Sequence, residues 1–307
     1  MTKSVSEDYQ IRTILSIADK NGFILDADNL NINKSGMDFI TTFATAKEDN
    51  SKWVLRFPRR LDVIERMYYE REVLELVKSQ VDVSVPVWKI VSDELVAYPL
   101  LKGIPAGTID PDIGDYVWYI DPKSPPAVYI SSVAKTLAQL HRTHIEVVKQ
   151  FSIRIQTVDR VRQSMAENME KTRELLGVSD TRWVRWQDWI ANDALWPQHS
   201  ALIHGDFHPG HTLVDKEGNL MGLIDWTEAA VSDPAKDFVC FYAIFGEQVL
   251  QDVLEHYQTA GGIVWSYMKE HIIELWNAHP VEYALFALLT GKEEHIAGAR
   301  ASLAWSG

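Results

Sequence analysis

The sequence predicts an α+β protein in which a small antiparallel-sheet lobe precedes a larger, mostly helical lobe. Residues 1–101 alternate short β-like stretches with helical patterns, whereas helical periodicity dominates from residue 102 onward. The segment KGIPAGTIDPDIGDY between them is rich in Gly, Pro and Asp, as lobe boundaries often are. A chain of 307 residues also suits one large domain or two lobes. We therefore predict an N-terminal lobe over 1–101 and a C-terminal lobe over 102–307.

The N-terminal lobe is predicted in the order helix, three strands, helix, two strands. Apolar residues at helical spacing from Ile11 to Ile17 indicate the first helix. LNINKSGMDFITTFATA has the pattern of a β-hairpin that turns at Ser-Gly, and SKWVLRFPRR that of a strand closed by Pro58. DVIERMYYEREVLELVKSQ predicts a helix with Asp62 as its N-cap, and VPVWKIVSDELVAYPLL predicts two strands.

The C-terminal lobe is predicted from helical patterns around one irregular, β-containing loop region. PPAVYISSVAKTLAQLHRTH and TVDRVRQSMAENMEKTRELLG are typical of helices, and helical patterns resume at DPAKDFVCFYAIF. The chain has 11 tryptophans. They either fill the core of a helical lobe or line an apolar ligand cleft. Four of them crowd one segment, at Trp183, Trp186, Trp189 and Trp196.

Composition narrows the class of protein. Hydrophobic residues make up 46% of the chain and charged residues 24%, and no apolar run approaches the roughly 20 residues of a membrane helix. The N-terminus lacks the pattern of a secretory signal, and a single cysteine, Cys240, excludes an internal disulfide. A net charge of -13 argues against a nucleic-acid partner. We expect a cytoplasmic monomer without nucleic-acid or membrane partners.

The segment LIHGDFHPGHTLVDKEGNLMGLIDW is the most informative part of the chain. Asp206 lies in a glycine-flanked loop, and Asp225 follows 19 positions later, at the end of the strand-like LMGLI. The turn DKEG predicts that two β-stretches fold back and bring both carboxylates to one end. Two such carboxylates make a metal site with a base, or an acid/base pair. A zinc centre of His204, His208 and His211 is an alternative, but it leaves Asp225 unexplained.

This segment resembles the catalytic segment of the protein-kinase-like, aminoglycoside-phosphotransferase type of small-molecule kinases. Their loop reads His-Gly-Asp and is followed by a strand that ends Ile-Asp-Trp or Ile-Asp-Phe, as at 204–206 and 224–226 here. The resemblance implies a two-lobed protein-kinase-like fold. It also implies that Asp206 accepts the proton of the substrate hydroxyl and that Asp225 holds Mg²⁺ on the β- and γ-phosphates.

One position departs from the general pattern of these kinases. Five residues after Asp206 most of them carry Asn, whereas this chain carries His211, although Mg²⁺ prefers oxygen ligands. Within HGDxHxGH this histidine is similar to that of the macrolide 2′-phosphotransferases, which implies His211 as a second metal ligand. WVLRFPRR, IPAGTID, GLIDWTEA and MKEHIIEL resemble the same family, so the resemblance covers almost the whole chain.

The macrolide-kinase resemblance implies a particular reaction. The γ-phosphate of GTP, with Mg²⁺, is transferred to the 2′-hydroxyl on the amino sugar of an erythromycin-like macrolide. The product no longer fits the ribosome, so the implied role is antibiotic resistance. ATP is implied to be the less favoured donor.

The same resemblance implies a nucleotide site in the N-terminal lobe. The turn NKSGMDF lies where a kinase covers the phosphates, so Ser35 and the backbone near Gly36 are candidates, unless this is an ordinary hairpin turn. Arg56 has the place of the cation that contacts the α- and β-phosphates. Glu70 is its expected partner because it lies on the apolar stripe of its helix. The hinge residues expected beside the purine are Ala97, Tyr98 and Leu100.

Loop support and acceptor binding complete the predicted site. His204 and His208 are expected to support the catalytic loop, with His204 also a candidate for substrate contact. Asp237 resembles the kinase-fold aspartate that fixes this loop. The HRTH at 141–144 is expected at a helix end, where histidine suits the helix dipole. A macrolide needs an aromatic-lined cleft with a carboxylate near its amine. Candidates, which are otherwise helical core, are Trp265, Tyr267, Glu274, Trp276 and Phe286.

Two other functions stay open from the sequence. Another small-molecule kinase of this fold, acting on an aminoglycoside or a metabolite, would share the motifs, although a polycationic aminoglycoside suits carboxylates better than a Trp-rich lobe. A catalytically silent kinase-like binding protein is suggested by Arg56 and His211, although Asp206 and Asp225 are both present.

Overall fold

A computed structural model describes residues 5–34, 36–110 and 113–304 of the chain. The elements up to Tyr119 are α1 (Val5–Lys20), β1 (Leu25–Asn33), β2 (Phe39–Ala46), β3 (Lys52–Pro58), α2 (Leu61–Val77), β4 (Ile90–Ser92), β5 (Leu95–Pro99), β6 (Ile104–Pro105), β7 (Gly107–Asp110) and β8 (Asp115–Trp118). The later elements are α3 (Ala127–His141), α4 (Ile145–Val148), α5 (Val158–Leu176), α6 (Asp180–Ala191), β9 (Ala201–Ile203), β10 (Thr212–Val214), β11 (Leu220–Leu223), β12 (Ala230–Ser232), the 3₁₀ helix η1 (Pro234–Phe238), α7 (Val239–Thr259), α8 (Met268–Thr290) and α9 (Glu293–Ala304).

One compact unit, the sheet unit, consists of the described residues up to Tyr119 with Pro209–Lys216 and Leu220–Thr227. Its main sheet is antiparallel, in the order β1-β2-β3-β5-β4. Side chains alternate between the two faces along β3, so Leu55 packs with α1, whereas Val54 packs with Met67 of α2. Helices therefore cover both faces, and Arg56 lies on the same face as Val54.

The helix α2 begins before its predicted cap. The prediction of Asp62 as N-cap is wrong, because the helix begins at Leu61 and Arg60 is the N-cap, without a side-chain cap bond. Asp62 lies in the first turn, where a carboxylate suits the helix dipole, and accepts a hydrogen bond from Nε of Arg60 at 3.0 Å. The predicted apolar stripe is present, since Glu70 is fully buried and Glu72 is partly exposed.

Smaller β-structures complete the sheet unit. β10 and β11 form the predicted hairpin around DKEG, with Thr212 opposite Leu223. β6 pairs with β10, so Ile104 lies opposite Val214. The segment expected to be an irregular linker is more ordered than predicted, because β7 and β8 form an antiparallel hairpin. The pairing of β6 with a strand more than a hundred residues later has no local sequence signal.

The second compact unit, the helical unit, consists of Ile120–His208, Glu217–Asn219 and the described residues from Glu228 onward. It is mostly helical, and β9 pairs with β12. Trp186, Trp189 and Trp196 are almost fully buried in a cluster with residues of α8 and α9, which confirms that these three fill the core. Replacing such a buried aromatic residue by Ala typically costs roughly 3–5 kcal/mol.

The distribution of elements confirms the predicted α+β class, with an antiparallel sheet in the N-terminal region and helices in the C-terminal region. Within 5–34, 36–110 and 113–304, no helix combines the length and the apolar character that crossing a membrane requires. The lobe boundary after Leu101 stays a prediction, because the two compact units describe packing rather than independent folding.

Candidate active site

A buried ion pair joins β3 to α2 in the sheet unit. Nη1 of Arg56 lies 2.8 Å from Oε1 and 2.7 Å from Oε2 of Glu70, and the two side chains are 10% and 0% exposed. The guanidinium also lies over the ring of Phe39, 4.0 Å from its centre. Burial by itself lowers the pKa of Arg56, but Glu70, Tyr98 and Asp225 together outweigh burial and raise the pKa above its usual value. The structure thus brings the predicted cation and its predicted partner together.

The carboxylate of Glu70 also contacts the segment that carries Asp225. The backbone N–H of Trp226 donates to Oε1 of Glu70 at 3.4 Å. Asp225 has a φ of +62°, in the left-handed region that residues other than Gly seldom adopt. Such strained positions cluster at functional sites. Arg56, Glu70 and the Asp225 segment therefore form one connected group within the sheet unit.

His211 lies beside Asp225 at the same end of the β10–β11 hairpin. Nε2 of His211 is 3.7 Å from Oδ2 of Asp225, and the carbonyl of His211 accepts from the N–H of Ile224 at 3.1 Å. Oδ1 of Asp225 accepts from the hydroxyl of Thr227 at 2.9 Å. One divalent cation with ligand bonds of about 2.1 Å can contact both facing atoms. The donor set fits Mg²⁺ through the carboxylate, and the imidazole also suits softer cations.

Two arginines brace the turn between β1 and β2. Arg59 and Arg60 each donate to a backbone carbonyl of this turn, at 2.6 and 3.1 Å. Asp38, in the turn, accepts from Nη2 of Arg60 at 2.8 Å. Gly36 belongs to this braced turn, whereas Ser35 lies outside the described residues. The sequence analysis did not assign these two arginines a role. The pair RR at the end of WVLRFPRR, directly after β3, could have indicated one.

The predicted hinge residues lie at the end of β5. Ala97 and Tyr98 are buried, whereas Leu100 is 43% exposed. The carbonyl of Ala97 accepts from the N–H of Lys89 at 2.9 Å, and the N–H of Leu100 donates to the carbonyl of Lys52 at 2.8 Å. These two groups already take part in hydrogen bonds within the sheet unit.

An open cavity of about 340 Å³ lies next to the hinge. Phe43, Lys52 and Leu100 are among the residues that line it. Because side chains alternate along a strand, Lys52 lies on the same face of β3 as Arg56, and Phe43 lies opposite Val54 on the paired strand. Leu30, Ala44 and Trp53, which pack on the opposite face with Leu55, also line the cavity, so residues of both faces of the sheet contribute to it.

In the helical unit, buried Asp237 of η1 holds the loop that carries Asp206. Oδ2 of Asp237 accepts from the N–H of His204, and Oδ1 accepts from the N–H of Gly205, both at 2.8 Å. The ring of His204 is fully buried, and its Nδ1 accepts from the N–H of Asp206 at 3.4 Å. Asp206 is exposed, and His208 is partly buried in the same loop. The ring of His204 therefore contacts the loop backbone, and its role as a support of the loop stays a prediction.

Gly205 is required by the shape of this loop. Its φ is +84°, and a Cβ atom at this position would lie 2.2 Å from the carbonyl oxygen of Glu228. Backbone atoms cannot yield as a flexible side chain can, so every other residue type would displace the loop.

His141 belongs to the support of the loop, beyond the helix-end position that the sequence predicted. Its Nε2 lies 3.1 Å from Oδ2 of Asp237, and its Nδ1 lies 2.9 Å from the hydroxyl of Tyr257. Burial by itself raises the pKa of Asp237, but the hydrogen bond from His141 and the nearby His204 hold that pKa below its usual value. The partner of His141 is 96 residues away, so HRTH alone could not reveal it.

The predicted acceptor residues lie along α8 and the segment before it. Trp265 donates to a backbone carbonyl at 2.8 Å, and Tyr267 and Trp276 are 48% and 38% exposed. Phe286 lies 5.0 Å, between ring centres, from the ring of His295. Glu274 accepts from the guanidinium of Arg185 at 2.7 to 3.1 Å. Across the part of the chain that the structure describes, no hydrogen bond or ring contact joins these five candidates to one another.

Glu282 of α8 is a carboxylate that the sequence did not assign. Burial and the charges of Asp206, Asp237 and Glu282 raise the pKa of the Cys240 thiol to about 12. Glu282 is exposed. Its charge, like that of Asp206, contributes to the raised pKa of the Cys240 thiol. Glu282 lies four residues before Phe286, so the two side chains lie on the same side of α8. This spacing could have indicated Glu282 from the sequence.

Comparisons with known proteins agree with this architecture. Residues 31–271 match the family described as the phosphotransferase enzyme family. YcbJ of Bacillus subtilis (strain 168), an uncharacterized protein, is 44% identical over 95% of each chain. A type I macrolide 2′-phosphotransferase has a TM-score of 0.90 and 36% identity over 100% of both chains. The apoenzyme of macrolide 2′-phosphotransferase MphH from Brachybacterium faecium has a TM-score of 0.89 and 36% identity, over 96% of this chain and 98% of its own.

These likenesses confirm the predicted fold of a kinase-like phosphotransferase. The chain belongs to the phosphotransferase enzyme family.

Proposed function

We propose that the protein is a kinase that transfers the γ-phosphate of GTP to the 2′-hydroxyl of the amino sugar of macrolide antibiotics and so inactivates them. The observation that carries this proposal is the 36% identity, over nearly the whole chain, to two macrolide 2′-phosphotransferases. His211, in the place where most related kinases have Asn, supports the same substrate class.

In this proposal the sheet unit binds the nucleotide. Arg56 contacts Glu70 through Nη1, and within the described residues no hydrogen bond engages its Nε and Nη2, which suit the α- and β-phosphates. The purine occupies the cavity beside Leu100, and the braced turn with Gly36 covers the phosphates, with Ser35 as a further contact predicted from the sequence. The open cavity next to Leu100 at the hinge supports this placement.

His211 and Asp225 would hold the divalent cation in this proposal. Mg²⁺, when bound, neutralises charge on the β- and γ-phosphates. The left-handed backbone of Asp225 and the bond from Trp226 to Glu70 support a fixed position for its carboxylate next to the Arg56–Glu70 pair. The N-terminal lobe over 1–101 and the C-terminal lobe over 102–307 are part of the same proposal.

Asp206 acts on the acceptor hydroxyl. Its carboxylate takes the proton of the 2′-hydroxyl while the hydroxyl oxygen bonds to the γ-phosphorus, the bond from that phosphorus to the β–γ bridging oxygen breaks, and GDP leaves. Asp237 contributes by holding the loop amides of His204 and Gly205. The exposure of Asp206 within an otherwise buried loop supports its contact with an incoming acceptor.

The acceptor is recognised in the helical unit. Tyr267, Trp276 and Phe286, with Trp265, supply apolar surface for the macrolide ring. Between Glu274 and Glu282 of α8, we assign Glu282 to the dimethylamino group, because Arg185 already neutralises Glu274. The proposal also includes action in the cytoplasm, where GTP is available, by a monomer, which light scattering of the purified protein would measure.

The test is a phosphotransfer assay of the purified protein with erythromycin and Mg²⁺, read by mass spectrometry of the product. We expect one added phosphoryl group, faster turnover with GTP than with ATP, and loss of turnover when the metal is removed by a chelator. An aminoglycoside in place of erythromycin is the control acceptor. Phosphorylation of the aminoglycoside alone, or of no macrolide tested, would contradict the proposal.

A further inference from the structure

A buried chain of hydrogen bonds connects α6, α8 and η1 in the helical unit. Nε1 of Trp189 donates to Nδ1 of His271 at 3.0 Å, and Nε2 of His271 lies 2.7 Å from Oδ2 of Asp233. Oδ1 of Asp233 accepts from the N–H of Ala235 at 2.9 Å and so caps η1. The three side chains are 2%, 0% and 2% exposed. Water therefore does not replace any of these hydrogen bonds.

The direction of each hydrogen bond in this chain is determined by chemistry. An indole N–H can only donate, so Nδ1 of His271 must accept from Trp189. The neutral ring then carries its proton on Nε2 and donates it to the carboxylate of Asp233. Trp189 thus selects the tautomer with which His271 can bind Asp233.

The chain of hydrogen bonds ends where the catalytic loop is anchored. Asp233 directly follows β12, whose Ser232 lies opposite Ala201 of β9, the strand that leads into the loop. At the other end of η1, Asp237 accepts from the two loop amides of His204 and Gly205. A displacement of Asp233 therefore reaches the loop by two routes, through the strand pair and through η1.

We propose that His271 is a positioning residue for phosphotransfer, which acts through Asp233 and η1 on the loop that carries Asp206. Trp189 contributes by selecting the tautomer of the His271 ring. A histidine that only fills the core would make neither hydrogen bond, whereas His271 makes both. The inference rests on the proposed function, because its effect is a change in the rate of phosphotransfer.

The test compares the variants D233N and W189F with the double variant. In D233N one of the two acceptor oxygens becomes an N–H₂, which faces either the N–H of Nε2 or the N–H of Ala235, and the ring cannot exchange tautomers because Trp189 occupies Nδ1. We expect kcat to fall by roughly 10- to 100-fold while KM for GTP stays near that of the wild type. W189F releases Nδ1, so the ring can accept the amide N–H at Nε2, and the double variant should be faster than D233N.

Trp186 provides the matched control. It is also fully buried, but its Nε1 donates to the carbonyl of Asn277 and not to His271. Adding W186F to D233N should therefore not restore kcat. The double variant should be slower than D233N by the factor that W186F alone produces. A double variant of W189F and D233N that is slower than D233N, with additive effects, would overturn the proposal.

Nuclear magnetic resonance separates this inference from the proposed function. In wild type we expect the His271 ring to be protonated at Nε2, with H271Q used to assign the signal among the ten histidines. The amide signals of His204 and Gly205 should shift in D233N and return in the double variant. These signals can be read even if no macrolide is phosphorylated, which would contradict only the proposed function. A ring protonated at Nδ1, or loop amides that D233N leaves unchanged, would overturn the positioning role.

Discussion

At the residue scale, the two carboxylates Glu274 and Glu282 of α8 differ in their partners. The guanidinium of Arg185 binds Glu274 through two nitrogens, whereas Glu282 is exposed and acts, with Asp206, on the thiol of Cys240. A carboxylate that is already paired attracts a further cation weakly. Whether a carboxylate on this helix can attract the amine of a ligand therefore depends on its neighbouring charges and not on its residue type alone.

This difference predicts the behaviour of two matched variants. We expect E282Q to raise KM for erythromycin by roughly tenfold, the effect of losing about 1.4 kcal/mol of attraction to the amine, without a change in KM for GTP. E274Q, which removes the same charge from the same helix, should leave KM for erythromycin near that of the wild type. Steady-state kinetics measures both values, and the opposite result would assign the amine to Glu274.

At the element scale, the short helix η1 connects the catalytic loop to the core of the helical unit. Its N-cap Asp233 and its residue Asp237 are both buried and both contact a histidine from another helix. The ionised form of Asp237 is stabilised by these hydrogen bonds, which hold its pKa below the usual value. Five residues of 3₁₀ helix can thereby determine where a loop more than 25 residues earlier in the chain lies.

The lowered pKa of Asp237 predicts how the stability of a variant depends on pH. Its stabilising effect is fully present above the unfolded-state pKa of about 3.9 and is lost as pH falls through the lower folded-state pKa. We expect D237N to lower the free energy of unfolding by roughly 3–5 kcal/mol near neutral pH. The difference from wild type should shrink below about pH 4.

Urea unfolding at a series of pH values measures this difference. The control is D180N, since Asp180 is an exposed aspartate at the start of α6, and its stability should stay near that of the wild type. A D237N difference that stays constant down to about pH 2 would show that the pKa of Asp237 is not lowered.

At the scale of the whole molecule, nucleotide binding and chemistry are assigned to different groups of residues. Arg56, Glu70, His211 and Asp225 belong to the sheet unit, and Asp206 with its support belongs to the helical unit. Binding and turnover should therefore be separable by mutation.

We expect D206A to lower kcat by roughly 10²- to 10⁴-fold, the usual contribution of a positioned base, while Mg²⁺ and GTP still stabilise the protein. At 100 times Kd a ligand stabilises the folded state by about 2.7 kcal/mol, which thermal unfolding detects. D225A should instead lose most of this stabilisation. Turnover of D206A equal to wild type, or full nucleotide stabilisation of D225A, would show that the two roles are assigned wrongly.

Local patterns in the sequence were sufficient for several features of this protein. The apolar stripe of α2 places Glu70 on the inward face of its helix, and the turn DKEG predicts the β10–β11 hairpin. These features depend on spacing within a few residues, because the periods of a strand and a helix decide which side chains face the core. The cap at Asp62 was wrong because a helix start depends on backbone geometry that several nearby residues can satisfy.

Only the tertiary structure decided which partner each buried polar group has. His141 binds Asp237 and His271 binds Asp233, across separations of 96 and 38 residues. A buried polar group has to be hydrogen-bonded, but the sequence does not state which of many donors and acceptors the packing of helices brings within 3 Å. The sequence by itself therefore determined the class of fold and the motif residues, whereas the contacts that hold the catalytic loop arose from the long-range packing of α3, α6 and α8 around η1.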